Sequence, residues 1–83
     1  MAFFMDIHKG IDGLTAEAVA GAHQKDLAVQ KKHGVNYLRY WFNEKDGTVF
    51  CLSEAPSKEA AEAVHREAHG LLPDEIIEVT EGR

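Results

Sequence analysis

Along residues 3–8, FFMDIH, Phe3, Met5 and Ile7 fall on one face of an extended segment and Phe4, Asp6 and His8 on the other. That alternation predicts a first strand, stopped by the turn region at Gly10 and Gly13. From Thr15, an N-cap residue with Glu17 in the following turn, the apolar spacing becomes helical and runs to about His33. Gly34 then suits the left-handed position that ends a helix, and Lys31, Lys32 and His33 place positive or protonatable groups at its negative end. Residues 35–42, VNYLRYWF, and 48–53 flank the turn segment Asn43-Glu44-Lys45-Asp46-Gly47 and predict a β-hairpin. Pro56 breaks the sheet, Ser57 caps a second helix over 58–69, and Gly70 ends it. Pro73 and Asp74 turn the chain into a short last strand over 75–80, followed by a polar tail.

The order strand, helix, strand, strand, helix, strand predicts an α+β, ferredoxin-like βαββαβ sandwich, a four-stranded antiparallel sheet with room for a short extra strand and both helices on one face. The 83 residues are expected to form one domain, residues 1–83, since a chain this short has no room for a second core. One sheet face is left open. With Leu38, Tyr40 and Phe42 turned to the helices, Tyr37, Arg39 and Trp41 fall on that face, where a second subunit would cover them. A small core gains from such a partner, so a homodimer is expected.

Charge narrows the function classes. A net charge of −5 with scattered Lys and Arg gives no attraction to phosphate backbones or anionic lipid, so neither nucleic acid nor membrane is an expected partner. The apolar start lacks a basic n-region, no run approaches a membrane span, and the single cysteine, Cys51, cannot form an internal disulfide. The expected compartment is the cytoplasm.

The chemistry lies in five histidines and their acidic neighbours. On a helical wheel, Ala16, Val19, Ala20 and Leu27 define an apolar sector of the first helix with His23 near its middle and Asp26 and Gln30 to one side. In the second helix, Ala61, Val64 and Ala68 form the apolar stripe, with His65 on its margin and His69 one turn beyond. The i, i+4 spacing of His65 and His69 lets two imidazoles converge on one ion, with Glu62 near enough to add an oxygen. Asp6 and His8 share a face of the first strand and form another pair able to bite a cation. If Phe3, Met5 and Ile7 face the helices, that pair points away from His23, which speaks against one site holding all these groups. His33 is read as a helix-end histidine and Cys51 as a small buried hydrophobe.

The stretches FMDIH at 4–8, LTAEAVAGAHQKDLAVQKKHGV at 14–35, YLRYWF at 37–42, GTVFCLSEAPS at 47–57 and VHREAHG at 64–70 together resemble the small nickel-binding ferredoxin-like proteins. The resemblance implies a nickel-binding homodimer serving metal sequestration or detoxification, with Asp6, His8, His23, Asp26, His65 and His69 as the metal-site positions. Imidazole and carboxylate suit Ni(II), and suit zinc and copper as well. Because a ligating imidazole must be neutral, binding is expected to weaken below about pH 6.5. The rival expectation is a small dimeric enzyme, with His23 or His65 as general base in a cavity between sheet and helices, oriented by Asp26 or Glu62. A regulatory module using the open sheet face is a third.

Overall fold

A computed structural model describes residues 1–82. Strand β1 (Ala2–His8) leads to helix α1 (Ala16–Val29), which tightens into a 3-10 turn over Gln30–His33. The hairpin β2 (Asn36–Asn43) and β3 (Thr48–Ala55), helix α2 (Lys58–Ala68) and strand β4 (Glu75–Val79) follow. The sheet is antiparallel in the order β2-β3-β1-β4, the ferredoxin-like arrangement, and among the described residues it has no extra strand.

Local chemistry sets the ends of the helices. The Thr15 hydroxyl accepts from Ala18 N–H and the Ser57 hydroxyl from Ala60 N–H, which satisfies one otherwise orphaned donor at each N-terminus. Gly34 takes φ 69° and closes the 3-10 turn. Gly47 is the tightest glycine: at φ 66°, a Cβ placed on it would lie 2.6 Å from the Ile11 carbonyl oxygen, where Ile11 N–H donates to Gly47. The hairpin turn is thereby tied to the loop that enters α1.

The buried core, including Phe4, Leu14, Val19, Val35, Tyr37, Val49, Ala55, Ala61 and Val64, fills the space between sheet and helices. Phe4, Asp6 and His8 are its β1 contribution, while Phe3, Met5 and Ile7 are only partly buried. This reverses the facing in which the more apolar row packed on the helices. Asp6 is admitted because its charge finds partners in the core, and His8 because it is neutral there.

A second correction concerns β2. Tyr37 pairs with Ser53 but Arg39 pairs with Leu52, so Leu38 is an extra residue, a β-bulge. The extra residue shifts the alternation by one position, because side chains change face at every step. Tyr37 therefore points into the core and Leu38 outward, the opposite of strict alternation. Phe3, Leu38, Arg39, Trp41 and Leu52 line a groove on the outer face. On α1, Ala16 and Ala20 are exposed and Asp26 is buried, so its inner face is rotated toward Val19, His23 and Asp26.

Candidate metal centre

His65 is the hub. It leaves α2 beside Val64, is only 1% exposed, and sits between two carboxylates that are themselves 0% and 2% exposed, Asp6 from β1 and Asp26 from α1. Its Nε2 lies 2.6 Å from Asp6 Oδ2 and its Nδ1 lies 2.9 Å from Asp26 Oδ1. With an acceptor at each nitrogen the ring is best satisfied doubly protonated. Burial alone lowers its pKa, but the hydrogen bonds to Asp26 and Asp6 overcome that and hold it at about 11. Burial likewise works against ionisation of Asp26, yet the hydrogen bonds from His65 and His69 keep its carboxyl below the ordinary value.

Tyr37, carried inward by the bulge, donates its hydroxyl to Asp6 Oδ2 at 2.6 Å and lies 3.0 Å from His65 Nε2. Burial, followed by the Asp6 charge, drives the phenol pKa far up, so Tyr37 remains a donor throughout the working pH range. One Asp6 oxygen thus receives both groups. The other, Oδ1, is buried and has no hydrogen-bond partner among the described residues.

His69 closes the cluster from the end of α2. Its Nε2 is 3.1 Å from Asp26 Oδ1 and 3.3 Å from His65 Nδ1, while its Nδ1 accepts from Leu71 N–H at 3.1 Å. His8 packs edge-on against His65 at 5.0 Å between ring centroids. Burial, then the neighbouring His65 charge, lowers its pKa to about 4, so His8 is a neutral imidazole at physiological pH. Cys51, opposite Asp6 on β3, is a buried thiol whose pKa burial pushes up. His23 packs against Tyr40 with ring centroids 4.7 Å apart and the planes tilted by 42°. His8, His23, Asp26, Cys51, His65 and His69 all line one cavity of about 100 Å³, whose remaining walls include Leu14, Val19 and Val49.

All six sequence-predicted residues therefore come to one region. Asp6, His8, Asp26 and His69 meet around His65, His23 shares the cavity wall, and the expected separation of Asp6 and His8 from the rest is corrected by the facing of β1. Asp6 lies behind His65 rather than on the cavity surface. Glu62 does not join: it pairs with Arg66 at 2.7 Å. His33 bonds Glu67, whose other oxygen takes Lys32, linking the 3-10 turn to α2. Sequence reasoning missed Tyr37, hidden by the bulge, and gave Cys51 no place beside the histidines. Alternation along β3, with the small residues Cys51, Ser53 and Ala55 facing inward, is the signal that marks Cys51 as a neighbour of the cluster.

The donor set can be tested against a metal. Asp26 Oδ1, His65 Nδ1 and His69 Nε2 form a triangle with sides of 2.9, 3.1 and 3.3 Å. Bonds of about 2.0–2.2 Å to a first-row ion, at octahedral or tetrahedral angles, separate neighbouring donors by roughly 2.8–3.6 Å. The residues fit such an ion, which would replace the proton between His65 and Asp26 and keep a positive charge facing the carboxylate. Because that proton is held up to about pH 11, its competition extends well above the 6.5 that unperturbed histidines suggest.

The fold and cluster define a ferredoxin-like α+β protein with a buried histidine–carboxylate centre beneath a small cavity. Residues 4–79 match the family model described as nickel responsive protein SCO4226-like, and the chain belongs to that family. SCO4226 from Streptomyces coelicolor A3(2), known from a crystal structure analysis, is 45% identical, with a TM-score of 0.92 over 99% of this chain and 100% of that one. No curated protein matches the chain.

Proposed function

We propose that this protein binds nickel, with Asp26, His65 and His69 as the protein ligands, and that it sequesters the ion rather than catalysing a reaction. The observation that carries the reading is the triangle of donor atoms these residues present at the cavity wall, and membership of a nickel-responsive family supports the choice of ion. A bound Ni(II) supplies Lewis acidity and a fixed positive charge. The chain supplies orientation: Asp6 accepts from His65 Nε2–H and leaves Nδ1 for the ion, a carboxylate–histidine–metal arrangement. Tyr37 steadies Asp6. His8, neutral, and His23 face the same cavity.

Loading His69 through Nε2 moves its ring hydrogen to Nδ1, which then opposes the Leu71 N–H, so ion binding releases that backbone contact. The proposed assembly is a cytoplasmic homodimer. Trp41 and Leu38, exposed on the open sheet face, support the dimer.

The enzyme reading rests on the Asp26–His65 hydrogen bond beside a cavity. A general base must have a free lone pair, and at neutral pH His65 carries a proton on each ring nitrogen. Calorimetric titration of tag-free protein with nickel tests the proposal. Binding is expected in the wild type, with a shifted Leu71 amide resonance, and loss of binding in His69→Ala and Asp26→Asn. No binding at neutral pH, or affinity unchanged in both variants, overturns it.

A further inference from the structure

We propose that His8, Cys51 and His65 form a second metal site, bearing a thiolate, that takes a thiophilic ion such as zinc or Cu(I). The three come from β1, β3 and α2, and each offers a ligand atom within 4.8 Å of the others. All three are buried and all line the cavity. Two imidazoles and a thiolate favour soft and borderline ions, whereas the carboxylate-containing triad of Asp26, His65 and His69 suits nickel. Three protein donors also leave further coordination positions for groups entering through the cavity.

Burial leaves Cys51 a protonated thiol on its own, outweighing the neighbouring His65, whose hydrogen bond and charge pull its pKa the other way. A coordinated ion removes the thiol proton outright and replaces it with the metal–sulfur bond, the proton passing to solvent. Cys51 is therefore expected to react slowly with thiol reagents in the free protein, and more slowly still once an ion holds its sulfur. His65 belongs to both triads, and a neutral imidazole has one lone pair to give. The two sites are consequently alternatives: His65 serves either the carboxylate-bearing or the sulfur-bearing set, and the ion's chemistry chooses. This inference shares His65 with the proposed nickel site but does not depend on nickel binding there.

Cobalt(II) is the probe, added under anaerobic conditions to chelator-stripped, tag-free protein. A thiolate-to-cobalt charge-transfer band in the near ultraviolet is expected in the wild type and in His69→Ala, and is absent from Cys51→Ala. His8→Gln should weaken cobalt binding by at least the roughly tenfold that loss of even an outer partner costs. Zinc added first should suppress nickel binding and, in wild type and His69→Ala alike, slow alkylation of Cys51 by a small thiol reagent. The alkylation measurement keeps the test intact if Cys51→Ala folds poorly. Cobalt binding without the band, no cobalt binding, or alkylation indifferent to zinc overturns the proposal. A thiolate band with no nickel binding would instead remove only the nickel reading, and nickel binding without the band only this one.

Discussion

Replacing His8 should flatten one limb of the pH–stability profile and leave the other in place. In the folded protein His8 titrates near 4, against 6.5 for the free side chain, because burial and the His65 charge disfavour its protonated form. A base depressed on folding binds fewer protons in the native than in the unfolded state between those values, so stability is complete above 6.5 and falls as pH drops toward 4. The slope is about 1.4 kcal/mol per pH unit, and over the whole shift the loss is about 3 kcal/mol. For a chain of this length, with roughly 4–12 kcal/mol of total stability, that loss is easily measured. His65 behaves in the opposite sense. Its folded value near 11 makes its contribution complete below 6.5 and progressively lost as pH rises toward 11. The metal-free protein should therefore be most stable close to pH 6.5. Urea unfolding followed by circular dichroism from about pH 4.5 to 9.5, in chelator, measures both limbs. His8→Gln should abolish the acid slope and retain the alkaline one. A wild-type profile level between pH 6.5 and 4.5, or an acid slope unchanged in the variant, refutes the assignment.

Asp26→Asn removes the negative charge between His65 and His69; it should cost about 3 kcal/mol in urea unfolding and lower the His65 pKa as followed by NMR titration. Gly47→Ala forces an L side chain into φ 66° and against the Ile11 carbonyl, so a loss of about 2 kcal/mol or more is expected with metal affinity per folded molecule unchanged. Ser53→Ala deletes a buried hydroxyl with no hydrogen-bond partner among the described residues, and its melting temperature should equal or exceed the wild type's.

The order of elements is legible because it depends on local chemistry: caps at Thr15 and Ser57, a left-handed glycine after the first helix, and a glycine-containing turn between two β-rich runs. What alternation cannot say is which of two faces goes inward. In β1 the more apolar row is Phe3, Met5 and Ile7, and ranking by hydrophobicity selects it. The chain instead buries Asp6 and His8, whose cost is offset only by partners from β2 and α2 that lie far away in sequence. Tyr37 shows a different limit. A bulge changes side-chain parity without any composition signal at Leu38, and the tyrosine that holds Asp6 therefore reads as an outer-face residue. His65, placed by the helical wheel on the margin of α2, becomes its most enclosed polar residue because both bordering elements carry a carboxylate toward it.

A small core that buries Asp6, Asp26 and His65 pays for their desolvation, and paired charges in such a place seldom stabilise a fold more than apolar groups of similar size. The cluster is therefore better explained by a ligand than by folding. Replacing it as a unit tests that directly: Asp6→Val, Asp26→Leu, His65→Met and Tyr37→Phe together leave neither an unpaired charge nor the phenol that serves Asp6. The combined variant should unfold with stability equal to the wild type's or about 1–4 kcal/mol higher, and should bind neither nickel nor cobalt. Single replacements within the set should be costly, since each strands a buried partner. If the combined variant fails to fold, or is several kcal/mol less stable than the wild type at pH 6.5, the cluster is holding the sheet to the helices in its own right, and its burial no longer argues for a metal.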